Sequence, residues 1–598
     1  MHPFKKSSFR HFSIILLSTL CLMSASAAPV ALVDEAPVKI STPASGVILV
    51  DFGKVAFGNL KLTPPPDARG AVRFHFGEAF DGKRINRKPP GSVRYATAEV
   101  TLDGQSPRVV APPRDKRNSS GAAVLTPPAW GVVLPFRWVE IEGWPSEITP
   151  AQITRQAAYA TTWDNQAAFF KSSDETLNRI WELCKYSIKA TTFAGVYVDG
   201  DRERIPYEAD AYLNQLSHYA TDKDVQMARD TYDHLMAHPT WPSEWGPHMV
   251  FMAHADWMHT GDAQWLSPRY EALKTKLLEE RVNAAGWVAS DKKQQGWNDI
   301  VDWPKEERDG FEFREINTVV NAFHLMALKQ MADLAAAVGK PSEAEDFTAR
   351  FRKRSGNFNR ELWMEDKGAY RDGIGSDHAS SHASLFPLAF GLVPQDRVKA
   401  VADYLVKRGM TCSVYAAQYL MEGLFQSGAD EAALALVTAP GDRSWRHMLE
   451  SGTTITWEAW DQKYKPNQDW NHAWGAAPAN LFPRFLLGAT PAEPGWKSAR
   501  IAPGTGGLKE AKGKIPTPRG PVEIHWIQDS SFHLKIDLPQ GMAARIELPS
   551  SRPTDRVLMD GKPVAATRVG ARIVVDTPVS GSRKFAVQSE PANQVPKP

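Results

Sequence analysis

Two stretches of this 598-residue chain crowd carboxylates, cations and aromatic rings together. The first, Tyr197 to Tyr212, reads Tyr-Val-Asp-Gly-Asp-Arg-Glu-Arg-Ile-Pro-Tyr-Glu-Ala-Asp-Ala-Tyr and holds five carboxylates, two arginines and three tyrosines. A carboxylate beside a fixed cation stays ionised, whereas one against aromatic rings is pushed toward its neutral form. Such a run can hold carboxyl groups in different protonation states, as acid/base chemistry requires. The bland alternative is a salt-bridged turn before a helix. The second stretch is Thr453-Thr-Ile-Thr-Trp-Glu-Ala-Trp-Asp461, followed by Asn471-His472-Ala-Trp474. Glu458 lies between Trp457 and Trp460, either at a sugar site or as a paired core residue. His472 can meet a sugar hydroxyl or orient a carboxylate. A third cluster, Gly296-Trp297-Asn-Asp299-Ile-Val-Asp302-Trp303-Pro304, combines rings for stacking with carboxylates for hydroxyl recognition. Its alternative is a loop anchored by tryptophan packing. Trp241-Pro-Ser-Glu244-Trp245 and Ser376-Asp377-His378 are weaker signals of the same sort.

Other chemistries fit less well. There is no serine-nucleophile elbow, phosphate-binding loop or dinucleotide fingerprint in a credible context, and no Cys/His grouping with zinc spacing. Net charge is +2, which argues against a nucleic-acid partner. Two carboxylates flanking a sugar suffice for glycoside hydrolysis, with no cofactor or metal.

The elements that must position these residues fall into three textures. Residues 29–167 read as β, with apolar runs such as Gly46 to Gly53 ending in a turn, and an exposed loop from Pro107 to Pro128. Residues 168–488 read as helices. Ser172 and Glu175 have capping-box spacing. Asn317 to Val338 is apolar on more than one side and so deeply buried. Ser342 to Leu362, Ala379 to Phe390, Pro394 to Lys407 and Ser413 to Gln426 read as further helices. Residues 489–598 return to β, with Asp560-Gly561 as a hairpin turn, and end in a polar tail. Residues 1–28 read as a signal peptide: Lys5, Lys6 and Arg10, an apolar run, then Ala25-Ser26-Ala27. The expected destination is the periplasm or the exterior, with no membrane association after cleavage. Cys184 and Cys412 then remain, with buried free thiols preferred over a disulfide.

On these residues the chain resembles the bacterial α-L-rhamnosidases, a family of inverting glycoside hydrolases. Asp199, Arg202-Glu203-Arg204, Tyr207 and Asp210 reproduce the family's acidic signature, and Thr453 to Trp460 resembles the segment bearing its base. The resemblance implies Glu203 as general acid and Glu458 as general base. It implies that Asp199, Asp210 and His472 contact rhamnose and that Asp302-Trp303 belongs to the binding loop. Asp51-Phe52-Gly53 and Thr517-Pro-Arg-Gly520 resemble motifs of its flanking β domains. Gly200 replaces the family's Cys-Pro and shortens the spacing, so Asp199 and Asp201 compete for one role. Pro206-Tyr207-Glu208-Ala209 replaces its Gly-Trp-Thr-Gly. The fold implied is a central (α/α)6 toroid between N-terminal and C-terminal β-sandwiches.

The full expectation is Glu203 and Glu458 as the catalytic pair. Asp199, Asp201, Arg202, Tyr207, Asp210, Trp297, Asp302, Trp303, Trp457, Trp460 and His472 contact a carbohydrate substrate, with Trp303 and Trp460 foremost in the aromatic wall. Two rivals stay open: a polysaccharide lyase using Tyr207 or His472, and a glycan-binding protein with a decayed site. Sugar, linkage, aglycone and oligomeric state are not legible.

Overall fold

The computed structural model describes residues 29–550 and 552–589. The signal-peptide reading and the end of the polar tail lie outside these residues. Three domains follow in chain order, β, α and β.

The N-terminal domain is built on one long strand, Val47–Leu62. Among the described residues it joins an eight-stranded sheet. The register of this strand shifts between Asp51 and Ala56, where the sequence suggested a turn after Phe52. Gly53, at φ +80°, and the Asp51 carboxylate accepting its N–H at 2.7 Å form a bulge instead. The bulge lets one strand pair with Lys39–Ala44 before it and with Ile153–Ala160 after it. The curled sheet encloses Val50, Phe52, Leu60, Phe74, Phe76, Phe136 and Ile141.

In the middle domain, six helices pack in a closed ring: Glu208–Thr221, His248–Thr260, Thr318–Ala337, Ser381–Ala389, Val414–Gln426 and Ala477–Leu481, the last returning to the first. Other helices, including Glu175–Ala190, Gln226–Ala237, Pro341–Glu361 and Val398–Arg408, pack outside them. This is the expected toroid. Inner helices are buried nearly all round because both their faces are covered. Thr318–Ala337 shows this, with fourteen buried residues. Phe323 sits at its centre against Phe251, Phe386, Phe390 and Tyr419, ring centroids 4.9 to 6.1 Å away. The first outer helix starts at Asp174, whose carboxylate accepts from Thr176 and Leu177 N–H, rather than at Ser172. Ser172 instead ends a strand, Phe169–Ser172, that pairs with Glu510–Ile515 of the C-terminal domain.

Among the described residues the C-terminal domain forms a six-stranded sheet and six strands of a seven-stranded one, whose seventh is Phe169–Ser172. Asp560-Gly561, both at positive φ, turns the expected hairpin between Asp555–Met559 and Lys562–Pro563. Cys184 and Cys412 are buried free thiols, and burial pushes both well above their ordinary pKa. No helix among the described residues is long and apolar enough to cross a membrane.

Truncating Phe323 removes the ring that several inner helices share. Phe323→Ala is expected to lower unfolding stability by about 3–5 kcal/mol, as aromatic-to-alanine changes in packed cores do. Urea denaturation of the purified protein measures it.

Candidate active site

The loops that enter the inner helices gather at one end of the ring. They line a cavity of about 240 Å³. One wall is polar: Asp199, Arg202, Glu203, Tyr207, Asp210, Glu458 and His472. The other is Trp241, Trp245, Trp297, Ile300 and Trp303, while Trp474 lies against His472 on the polar side. A larger open depression of about 660 Å³ near Asp291 and Arg314 contains no residue of either acidic cluster.

Local backbone chemistry brings the two clusters together. The Asp201 N–H donates to Asn471 Oδ1 at 2.7 Å, and the Arg202 N–H reaches Asp469 Oδ2 at 3.4 Å. Gly200, at φ +150°, lies so close to this second loop that a Cβ would stand 2.5 Å from Asp469 Oδ2. Only glycine fits there, which explains the residue standing in place of Cys-Pro.

The run Asp201-Arg202-Glu203-Arg204 then divides. Asp201 and Arg204 face backward and are buried. The Asp201 carboxylate accepts from Arg94 Nε at 2.6 Å, Arg204 Nη2 at 2.7 Å and Asn118 Nδ2 at 3.1 Å. Arg94 also binds Asp115 at 2.5 Å. Asp115 and Asn118 lie in the segment read as an exposed loop; most of it is exposed, and Asn118 is buried against the site. Arg202 and Glu203 face the cavity. The Arg202 guanidinium binds Glu458 at 2.6 and 3.0 Å, and its Nε donates to Glu203 Oε1 at 3.2 Å. The Tyr207 hydroxyl donates to Glu203 Oε2 at 3.0 Å. Lys465 Nζ lies 3.4 Å from Glu458 and over the Trp303 ring. Thus both glutamates share one cation. The Glu203 side chain is 38% exposed and that of Glu458 only 2%.

Asp199, not Asp201, reaches the cavity. Its Oδ1 accepts the Ile205 N–H at 2.9 Å, while Oδ2 has no partner within the protein. Burial pushes this carboxyl well above its usual range; His472 opposes the shift, and Asp469 and Glu203 add to it. His472 Nε2 lies 2.7 Å from Asp210 Oδ1, and Nδ1 faces Asp469 at 3.4 Å. Burial alone would lower the imidazole, but the two carboxylates outweigh it and raise it to about 10. Glu458, Asp469 and His472 present atoms within 4.8 Å of one another, a spacing suited to an ion. Arg202 and the His472 imidazolium already supply positive charge to that group, leaving little electrostatic call for a metal.

The third cluster behaves differently. Glu244 is buried and accepts N–H bonds from Ile300 at 3.0 Å and Val301 at 2.8 Å. Val301 has φ +61°, a strained conformation for a β-branched residue. Asp302 accepts from the Ser413 N–H at 2.9 Å and meets His382 Nε2 at 2.6 Å. It is therefore a buried anchor for the loop rather than a sugar ligand.

Trp457 and Trp460 are also absent from the cavity lining. Trp457 is buried against Trp470, centroids 5.1 Å apart. Trp460 is fully buried, its Nε1 donating to the Cys412 carbonyl at 2.8 Å and its ring edge-on to Trp445. Trp297 and Trp303 do line the cavity. Residues that sequence reasoning passed over include Asp469, Lys465, Ile300 and the N-terminal Arg94 and Glu78. Glu78 accepts from Asn471 Nδ2 at 3.0 Å, and burial raises it to about 8 against the pull of its two hydrogen bonds. Asp469, three residues before His472, carried a local signal; Arg94 and Glu78 carried none.

The model of the bacterial α-L-rhamnosidase 6-hairpin glycosidase domain matches residues 165–486, the concanavalin-like domain of the same enzymes residues 41–159, and their C-terminal domain residues 488–561. The chain belongs to the bacterial α-L-rhamnosidase family. An α-L-rhamnosidase of Alteromonas sp. (strain LOR) is 22% identical over 87% of the chain and 58% of its own length. The chain thus spans a little over half of that curated relative. The solved α-L-rhamnosidase of Dictyoglumus thermophilum has a TM-score of 0.77 at 20% identity, covering 94% of this chain and 64% of that one. That of Streptomyces avermitilis, complexed with L-rhamnose, has a TM-score of 0.76 at 20% identity, covering 94% and 54%. Both share the fold of this rhamnosidase-family chain.

Three expectations follow. Asp201→Ala removes the carboxylate that Arg94 and Arg204 share, leaves the buried Arg204 guanidinium without its ionic partner and should cost about 3–5 kcal/mol of stability. Asp199→Ala should leave the unfolding midpoint much closer to the parent, since Asp199 pairs with no cation among the described residues; denaturation curves of both variants separate the roles. His472 should remain an imidazolium across neutral pH. Because its pKa is raised from 6.5 to about 10, the stability it contributes is complete below pH 6.5 and fades as pH climbs through 10. Side-chain ¹⁵N shifts of His472 against pH report this titration.

Proposed function

We propose that this protein is a secreted inverting α-L-rhamnosidase with Glu203 as general acid and Glu458 as general base. The observation that carries the reading is the Arg202 guanidinium, which takes one glutamate at Nε and the other at its terminal nitrogens. Two carboxylates on different edges of one guanidinium are held apart by the cation between them, which favours a wider spacing than the about 5–5.5 Å of a retaining pair. The arrangement suits the about 6.5–9.5 Å at which inverting enzymes admit a water.

Glu203, the part-exposed member, donates its proton to the glycosidic oxygen and is reprotonated from solvent. Glu458 takes a proton from the water that attacks the anomeric carbon on the opposite face. Arg202 and Lys465 meet the charge of Glu458 and hold its geometry. Asp199, whose Oδ2 has no partner within the protein, is free to meet a sugar hydroxyl, and the Asp210–His472 pair supplies fixed partners to others. The apolar wall suits the C5 methyl that distinguishes rhamnose from most hexoses. The leader-like residues 1–28 support export to the periplasm or beyond.

A lyase would need Tyr207 or His472 as base. His472, held as a cation between carboxylates, has no proton-accepting capacity at neutral pH. Tyr207 is pushed well above its ordinary value by burial and by Asp199 and Glu203.

The mature protein should release 4-nitrophenol from 4-nitrophenyl α-L-rhamnoside, with β-L-rhamnose as the first product by ¹H NMR. Glu203→Gln and Glu458→Gln should each lose about 10²–10⁴-fold in rate. Release that survives both substitutions removes this assignment, as does an α-configured first product.

A further inference from the structure

Two tryptophans stand out of the fold at the cavity rim. Trp297 is 63% exposed and Trp241 38%. Their rings stack with centroids 5.1 Å apart at 27°, and Trp303 meets Trp241 edge-on. Folding normally buries indoles, so a contiguous exposed pair beside a cavity marks a place where a ligand does the covering. The pair is also held in place. Asn298 Nδ2 donates to the Trp241 carbonyl at 2.9 Å, and the Ser243 N–H donates to the Asn298 carbonyl at 2.8 Å. Trp297 itself lies in a single π-helical turn, Gln294–Asn298, a local distortion frequent at functional sites.

Geometry indicates what would lie there. The cavity, about 240 Å³, is smaller than the roughly 300–1,000 Å³ of sites that enclose drug-sized ligands. It has room for one sugar ring, and whatever that ring is bonded to must rest at the rim. The leaving group receives its proton from Glu203, which is the exposed member of the acid/base pair. It therefore departs on the open side, where the tryptophans are. A sugar leaving group would need partners for its hydroxyls. The amides nearest the platform are already used, Asn298 on Trp241 and Gln295 Nε2 on the Ser290 carbonyl at 2.8 Å. The adjoining wall is Trp245, Ile300 and Trp303.

We propose that Trp241 and Trp297 form a leaving-group platform that selects rhamnosides carrying a flat aromatic aglycone. The inference rests on Glu203 acting as the acid. Stacking of an aryl ring on this pair should tighten binding roughly fivefold to tenfold, the scale of an aromatic pair beyond area burial.

The test is calorimetric titration of the protein carrying both Glu203→Gln and Glu458→Gln, in which turnover is suppressed, with L-rhamnose, 4-nitrophenyl α-L-rhamnoside and a rhamnosyl-glucose disaccharide. The aryl rhamnoside should bind roughly fivefold to tenfold more tightly than L-rhamnose. In Trp241→Ala and Trp297→Ala backgrounds that ratio should fall toward one, and Trp297→Phe should restore much of it. If L-rhamnose binds but the aryl group adds nothing, or its gain survives both alanine variants, the platform is overturned while the rhamnosidase reading stands. An equal gain for the disaccharide, lost in the same variants, overturns the aromatic preference. Absence of any L-rhamnose binding overturns the functional reading and the platform with it.

Discussion

The buried carboxylate of Asp201, with Arg94 and Arg204 upon it, is the interaction on which the site depends. A charge taken out of water stays ionised only where opposite charge and hydrogen bonds replace its hydration. Here one of those cations comes from the N-terminal domain and another from the same loop, and Asn118 completes the shell. The consequence is directional. With Asp201 and Arg204 turned backward, Arg202 and Glu203 between them turn toward the cavity. The N-terminal β domain is thereby part of the active-site structure, because Arg94 and Glu78 grip the two loops that carry the chemistry.

A second constraint acts through tryptophan. The indoles near the acidic clusters divide between walls and supports. Trp303, Trp245 and Trp297 face the cavity, while Trp457 and Trp460 pack behind Glu458 and brace its loop. The same division holds for carboxylates. Glu203, Glu458, Asp199 and Asp210 face the cavity, whereas Glu244 and Asp302 satisfy backbone N–H groups of the aromatic loop, those of Val301 and Trp303 among them. The loop holds Val301 in a strained conformation, and buried hydrogen bonds of this kind are what make such strain persist.

The closed helical ring makes these loops converge. Each inner helix is covered on both sides, so its apolar surface fixes its position, and the segments leading into the inner helices share one end. The strand Phe169–Ser172 adds a further tie, stitching the entry of the helical domain onto the C-terminal sheet.

Local chemistry was legible without coordinates. Apolar periodicity located the helices around Thr318–Ala337, Pro341–Glu361 and Val414–Gln426, because a helix repeats within a few residues and its signal is contiguous. The Asp-Gly hairpin was legible for the same reason, and the two acidic clusters were marked by composition. What tertiary structure alone decided was direction and partnership. Whether Asp199 or Asp201 reaches the cavity turns on Arg94, which lies more than a hundred residues away in another domain. Whether Trp460 or Trp297 is exposed depends on Cys412 and Trp445 packing against the first and on nothing covering the second. Residue type and spacing state what a side chain can do, but burial and charge pairing are properties of its neighbours in space, and those come from every part of the chain.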